Sequence, residues 1–295
     1  MRKILFIINP ISGGVNKEYI PKLIDRYLDK NIFQSEVQYT AYPLHAKEIA
    51  KNAVNYNYDI VAAVGGDGTI NEIASELVNT EVKLAIIPLG SGNGLARHLN
   101  IPLDTKKAII YLNSADILKI DVGRINNKYF FCTSGIGFDA IVANEFASLT
   151  KRGLLGYLKT SIMSYLRYHH QFYKLSIDGK KIEEKALLIT FANASQFGNN
   201  AHIAPIADIS DGLIDVSILR PFHWWESMSL AFHLFTKKLH QTNFIKIYKA
   251  KTISLEINKK QFIHIDGEPF EINKELNVHL LPQSLNVMAK DKKTT

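Results

Sequence analysis

Between residues 59 and 99 the chain twice runs from an unbroken apolar stretch straight into glycines and out again into a helical pattern. Asp59-Ile60-Val61-Ala62-Ala63-Val64 ends in Gly65-Gly66-Asp67-Gly68-Thr69, and the apolar stretch over 82–88 leads to Gly90-Ser91-Gly92-Asn93-Gly94. A short apolar run bounded by glycine reads as a buried strand, and residues 70–77 and 93–99 resume a helical period after each turn. Upstream, 4–9 is a further strand feeding Asn9-Pro10-Ile11-Ser12-Gly13-Gly14, residues 19–28 and 46–54 carry helical spacing, and 36–40 is strand-like. Strands alternating with helices specify a parallel sheet covered on both faces.

After about residue 116 the texture changes to frequent strands separated by turn signals such as Arg124-Ile125-Asn126-Asn127-Lys128 and Ile177-Asp178-Gly179-Lys180. That pattern predicts a largely antiparallel second domain. Two stretches depart from it: 140–168, helical with Gly153 and Gly156 breaking it, and 224–239, also helical. The expected fold class is therefore α/β plus all-β. The Rossmann-like α/β domain covers 1–118 with a C-terminal return over about 283–295, and an antiparallel, sandwich-like β domain covers 119–282.

With 46% hydrophobic residues in 295, the chain can bury a real core. Its single cysteine, Cys132, lies in the apolar stretch Tyr129-Phe130-Phe131-Cys132, so no intramolecular disulfide forms and a reducing, cytoplasmic compartment is expected. The apolar start at Ile4 stops at Asn9-Pro10, short of a signal-peptide core, and no uninterrupted apolar run approaches the about 18 residues that span a bilayer. A net charge of +7 suits an anionic partner: nucleotide phosphate, nucleic acid or an acidic membrane surface. Lys and Arg are dispersed and no recognition-helix or aromatic RNA-binding signature is present, which argues against nucleic acid.

In an open α/β sheet, ligands bind beyond the carboxyl ends of the strands, and three glycine turns fall at that edge. Glycine lets backbone amides approach a phosphate, and a following helix adds its positive end. Ser12, Thr69, Ser91 and Asn93 supply short polar groups for the same oxygens. Any one turn alone could be no more than a tight strand-to-helix connection. A carboxylate at Asp67 makes sense in a phosphate turn if magnesium lies between them, and as a helix N-cap otherwise. The sequence Gly-x-x-x-x-Gly-Lys-Ser/Thr is absent. Gly135-Ile136-Gly137-Phe138-Asp139-Ala140 matches the dinucleotide fingerprint by letter but lacks the acidic residue about 20 positions on.

Gly65-Gly66-Asp67-Gly68-Thr69-Ile70-Asn71-Glu72 followed by Ile87-Pro88-Leu89-Gly90-Ser91-Gly92-Asn93 resembles the catalytic domain of diacylglycerol, sphingosine and related bacterial lipid kinases. Asn9-Pro10 with Ser12-Gly13-Gly14, Gly137-Phe138-Asp139-Ala140, Asp211-Gly212-Leu213 and Asp266-Gly267-Glu268 extend the resemblance over nearly the whole chain. The first of these turns is shared with NAD kinases. The resemblance implies a cleft between the two domains where ATP and a lipid hydroxyl meet. It implies nucleotide contacts from Asn9, Ser12, Gly13, Thr40, Gly65, Gly66, Asp67, Gly68, Thr69, Asn71, Glu72, Gly90, Ser91, Gly92 and Asn93.

By the same resemblance Glu268 is the general base, Asp67 belongs to the catalytic set, and Asp266 supports the turn or the metal. Asp208, Asp211 and the Leu213 carbonyl hold a structural Mg2+, and Asp139 lies at the acceptor. Without that comparison Glu268 reads as a solvated hairpin acid, Asp211-Gly212 as a turn, and Asp139 as a cap for the helix beginning at Ala140. Diacylglycerol-kinase-like members place an aspartate where this chain has Gly94, so a metal-organising carboxylate is missing here. Residues 154–168 and Phe222-His223-Trp224-Trp225, with Lys151, Arg152, Lys159, Lys237 and Lys238 nearby, are candidates for peripheral contact with a membrane, or simply core. A second copy of the chain is a further candidate partner.

Overall fold

A computed structural model describes residues 1–14, 16–147, 165, 168, 170–257 and 259–290. The break expected at Gly153 and Gly156, and the residues from 154 to 164, lie outside the described residues. The chain divides into two compact units, Met1–Asp121 with Gln283–Thr295, and Val122–Pro282.

The first unit is built on strands β1 (Arg2–Ile8), β2 (Phe33–Tyr39), β3 (Ile60–Gly65) and β4 (Lys83–Pro88), all parallel, in the order β2-β1-β3-β4. Every residue of β3 is buried, as expected of a strand covered on both faces. Alternate residues Ile4, Phe6, Ile8, Ile60, Ala62 and Val64 pack on α1 (Ile20–Tyr27) and α5 (Thr105–Leu112). The intervening Leu5, Ile7, Val61 and Ala63 are equally buried, and pleating turns them toward α2 (His45–Asn55) and α3 (Asp67–Leu77), which pack on each other and on β1 and β3. A short α4 (Gly94–His98) follows the turn after β4. Helix α5 was not apparent in the sequence pattern. Asp104 caps it, accepting from Lys107 N at 2.8 Å.

The second unit is antiparallel. One sheet orders β12 (Ile245–Ala250), β11 (Ile214–Leu219), β10 (Leu188–Ala192), β7 (Thr133–Gly137), β14 (Gln261–Ile265) and β15 (Glu268–Ile272). The other pairs β9 (Lys180–Ala186) with β8 (Gln171–Ile177), then β13 (Thr252–Leu255), then the start of β16 (Leu276–Met288). Inward residues of both sheets, among them Ile136, Phe191, Val216 and Ile263 from one and Leu175, Ile253 and Val278 from the other, form a single core, which makes this a sandwich. The predicted hairpins are present. Asp178 (φ 46) and Gly179 (φ 83) turn β8 into β9, and Asn126 (φ 48) turns β5 (Ile117–Ile125) into β6 (Lys128–Phe130).

Within Gly135 to Ala140, β7 pairs antiparallel with β10 and β14 before α6 (Phe138–Ala147) begins. The dinucleotide-like letters therefore sit outside any βαβ unit, as the missing acid indicated. The helix expected over 224–239 is instead a 3-10 turn at Trp224–Glu226, then α7 (Ser227–Phe235), then a second 3-10 turn at Leu239–Gln241. It stops because Lys237 takes φ 62 and the Lys238 amide closes back onto His233 O at 3.0 Å.

Candidate functional site

The three glycine turns of the first unit are knitted together largely through backbone. Asn9 N donates to Val64 O at 3.1 Å and Leu89 N to Gly65 O at 2.7 Å, so adjacent strand ends stay paired into the turns. Asn9 Nδ2 donates to Thr69 Oγ1 at 3.0 Å, while its Oδ1 accepts from Ile11 N at 3.1 Å. The first turn approaches the third so closely that a Cβ built on Gly13, itself at φ 63, would lie 2.1 Å from Leu89 O. The second and third meet at Gly66 and Gly90, where a Cβ on Gly90 would lie 2.7 Å from Gly66 Cα. Only glycine allows that approach.

Asp67 is the first residue of α3 and leaves its own helix without a side-chain cap; Gly66 occupies the N-cap position. The N-cap reading is thereby corrected, because the carboxylate serves a neighbouring helix instead. Its Oδ2 accepts from Asn93 N and its Oδ1 from Gly94 N, each at 2.8 Å, at the start of α4. Asn93, at φ 51, closes its own turn: Oδ1 accepts from Gly90 N at 2.9 Å and Nδ2 donates to Gly90 O at 2.7 Å. Gly94, where the resemblance leads one to expect an aspartate, is buried and contributes its amide to Asp67.

Around this nucleus, Gly68 and Thr69 occupy the first turn of α3, and Asn71 and Glu72 follow on the same helix, half-buried. Thr40 closes the end of β2, its amide donating to Ile8 O at 2.9 Å. Ser12 Oγ donates to Asn9 O at 3.1 Å, and Ser91 and Gly92 lie in the third turn, Ser91 exposed. Sequence reasoning missed Lys17. It is buried, its ammonium donates to Pro10 O at 3.1 Å and also to Ser12 O, and burial pushes its pKa down. A lone lysine eight residues past a strand carries no signal of such a clamp.

In the second unit, the turn Asp266-Gly267-Glu268 joins β14 to β15. Asp266, at φ 47, spends its carboxylate on three backbone amides: Phe131 N at 2.9 Å, Cys132 N at 2.8 Å and Thr133 N at 3.1 Å. Its own amide donates to Thr133 O at 2.8 Å. Asp266 is thus an anchor of the turn, and Glu268 is displayed exposed beside it.

Asp139 and His264 are buried and paired, His264 Nε2 to Asp139 Oδ2 at 3.1 Å. Asp139 Oδ2 also receives the Thr190 hydroxyl at 3.3 Å, and its Oδ1 the Ala140 amide at 2.8 Å. His264 Nδ1 accepts from Gly267 N at 3.4 Å, an acceptor role that leaves the proton on Nε2. A histidine chain therefore runs from Asp139 to the turn that displays Glu268. The sequence carried one sign of it, since strand alternation puts His264 on the side of Asp266.

Asp208 Oδ1 accepts from Ser210 N at 3.0 Å, and Asp211 Oδ1 from Leu213 N at 3.0 Å. Lys249 Nζ lies 2.7 Å from Asp211 Oδ2 and 3.1 Å from Asp215 Oδ2. Burial raises the Asp215 pKa, with Lys249 opposing and Asp211 and Asp208 adding repulsion. Lys249 thus matches Asp211 and Asp215, and among the described residues no three His, Cys, Asp or Glu side chains gather into a cation-binding group. The expected metal set of Asp208, Asp211 and the Leu213 carbonyl rests on the resemblance.

Residues 3–125 match the diacylglycerol kinase catalytic domain, and residues 133–289 match the YegS C-terminal NAD kinase beta sandwich-like domain. The chain belongs to the diacylglycerol kinase and YegS-like family of lipid kinases. Within that family it is 26% identical to a diacylglycerol kinase of Bacillus subtilis over 91% of this chain and 90% of the relative. It is 30% identical to a protein of Pseudomonas aeruginosa named probable lipid kinase YegS-like, over 82% of this chain and 80% of the relative. The fold matches the crystal structure of a diacylglycerol kinase from Bacillus anthracis with a TM-score of 0.77 at 19% identity, covering 100% of this chain and 98% of the other. No helix among the described residues is long and apolar enough to cross a membrane.

Proposed function

We propose that the chain transfers the γ-phosphate of ATP to the hydroxyl of a lipid. The observation that carries this reading is the junction of the three turns, where the Asp67 carboxylate holds the amides of Asn93 and Gly94 while Gly13, Gly66 and Gly90 keep side chains out of the contact. Such an edge brings the glycine backbone of three turns together with no side chain in the way of a phosphate. The Asn9, Thr40, Thr69 and Ser91 side chains complete the polar lining of the nucleotide site. In the transfer, the acceptor oxygen forms a bond to the γ-phosphorus, the bond to the bridging oxygen of the departing ADP breaks, and Glu268 takes the hydroxyl proton. Asp266 positions Glu268, and Asp139 orients the acceptor. Magnesium bound with the nucleotide supplies neutralisation of the triphosphate oxygens.

The test is incubation of the protein with labelled ATP, magnesium and separate mixed micelles of diacylglycerol, phosphatidylglycerol, a sphingoid base and ceramide. Label entering one of these lipids supports the proposal and names the acceptor class. Label entering none of these lipids, or entering only NAD supplied in a parallel incubation, overturns it.

A further inference from the structure

The segment from Trp224 through α7 carries five large apolar side chains in the open: Trp224 at 75% exposure, Trp225 at 61%, Met228 at 82%, Phe232 at 59% and Phe235 at 52%. Leu230 and Leu234, on the other side of the helix, pack into the hydrophobic cluster of the second unit with Leu219, Leu239 and Phe244. The helix is therefore seated by one face while the spacing 228, 232, 235 lines up the exposed residues on another. Water exposure of so much aromatic surface on one element is uncommon for a folded domain unless something covers it.

Charge around this face selects the partner. Glu226 is taken up by Arg220 at 2.7 Å and by the His223 amide at 2.7 Å, so the one acid of the segment is neutralised. From Ser227 to Lys238 there is no Asp or Glu, and exposed Lys237 and Lys238 follow the end of the helix. The chain as a whole carries +7. Aromatic and aliphatic residues flanked by lysine suit the headgroup and upper acyl region of an anionic bilayer, where tryptophan places an apolar ring among polar groups.

We infer that the Trp224–Glu226 turn and α7 form a docking surface for an anionic lipid bilayer, with Trp224, Trp225, Met228 and Phe232 entering the interface and Lys237 and Lys238 meeting the headgroups. This deepens the lipid-kinase reading, since an acceptor with long acyl chains resides in a membrane, but docking itself requires neither nucleotide nor transfer.

Both tryptophans of the chain lie in this patch, so intrinsic tryptophan fluorescence reports on it alone. Vesicles of phosphatidylcholine with a third phosphatidylglycerol are titrated into the full chain without ATP. The expected result is a blue shift of the emission, quenched when the lipid chains carry bromine near the headgroup. Met228→Ser/Phe232→Ser, at exposed positions, should weaken binding at least tenfold with the unfolding midpoint kept. Lys237→Glu/Lys238→Glu should remove the preference for phosphatidylglycerol, since each lysine near such a surface contributes about fivefold. Vesicles that sediment the protein with no change in emission overturn the inference, as does an emission already blue without vesicles and red-shifting on dilution, which places a second copy on the patch. Binding without lipid phosphorylation leaves docking intact and removes the kinase reading; phosphorylation without a fluorescence change does the reverse.

Discussion

Asp67 Oδ1 sits 2.8 Å from the amide nitrogen of Gly94, so an acid presented by the second glycine turn holds the first helical residue after the third. An Asp67→Asn variant keeps one acceptor oxygen and turns an NH2 toward an amide that can only donate. The expected loss is about 1–3 kcal/mol of stability, the usual magnitude for a donor left unsatisfied, together with weakened nucleotide affinity. Denaturant unfolding and calorimetry with ATP check both; an unchanged affinity would remove Asp67 from the architecture of the nucleotide site.

Gly90→Ala tests the contact between turns. Its Cβ would lie 2.7 Å from Gly66 Cα and 2.9 Å from Asn93 Oδ1, both fixed by their own turns. One turn has to move, and nucleotide binding should fall below detection. Gly66→Ala meets its nearest neighbour at 3.2 Å and should be the milder of the pair. Equal effects from both would contradict the geometry.

Asp266 and Glu268 are neighbours with separable duties. Asp266→Asn keeps one oxygen for the amides of Cys132 and Thr133 but turns an NH2 toward that of Phe131, and should lower the unfolding midpoint by several degrees, consistent with about 1–3 kcal/mol. Glu268→Gln is exposed and should leave that midpoint unchanged while transfer falls by about 10²–10⁴. Retained transfer in Glu268→Gln would assign the proton to another group.

For the buried pair, His264→Phe should destabilise by about 1–3 kcal/mol because the buried Asp139 side chain loses a hydrogen-bond partner. Removing both partners, in Asp139→Leu/His264→Phe, should recover part of that loss, since no buried carboxylate is then stranded. Additive effects in the double variant would show that the two side chains do not act together.

Tyr58 gives a pH-dependent marker for the first unit. Its hydroxyl donates to Glu36 at 2.5 Å, and that bond together with burial pushes its pKa from 10.0 up to about 12. The folded state favours the neutral phenol, so its contribution is fully present below the unfolded value of 10.0 and is lost as pH rises toward 12. Chemical denaturation between those limits should show a steeper decline for the native chain than for Tyr58→Phe.

Periodicity and glycine placement made much of this protein legible. The apolar runs ending at Gly65 and Pro88 could be nothing but buried strands, and the hairpin at Asp178-Gly179 needs positive φ that those residue types tolerate. Boundaries slipped where a tertiary contact decided them. Helix α3 begins at Asp67 rather than at Ile70 because the turn is held from outside, and the helix expected over 224–239 breaks where Lys237 adopts a glycine-like conformation.

Residue type and local spacing thus specified which strands, turns and acids the chain would have, because these depend on interactions within a few residues. Partners across long stretches of sequence were beyond that reach. That Asp67 serves Gly94, that Asp266 gathers the amides of Phe131, Cys132 and Thr133, and that His264 meets Asp139 follow from pairings separated by 27 to 135 residues. A carboxylate has no preference in sequence for one distant donor over another; packing brings a particular amide within reach and shuts out water, and only then is the choice made.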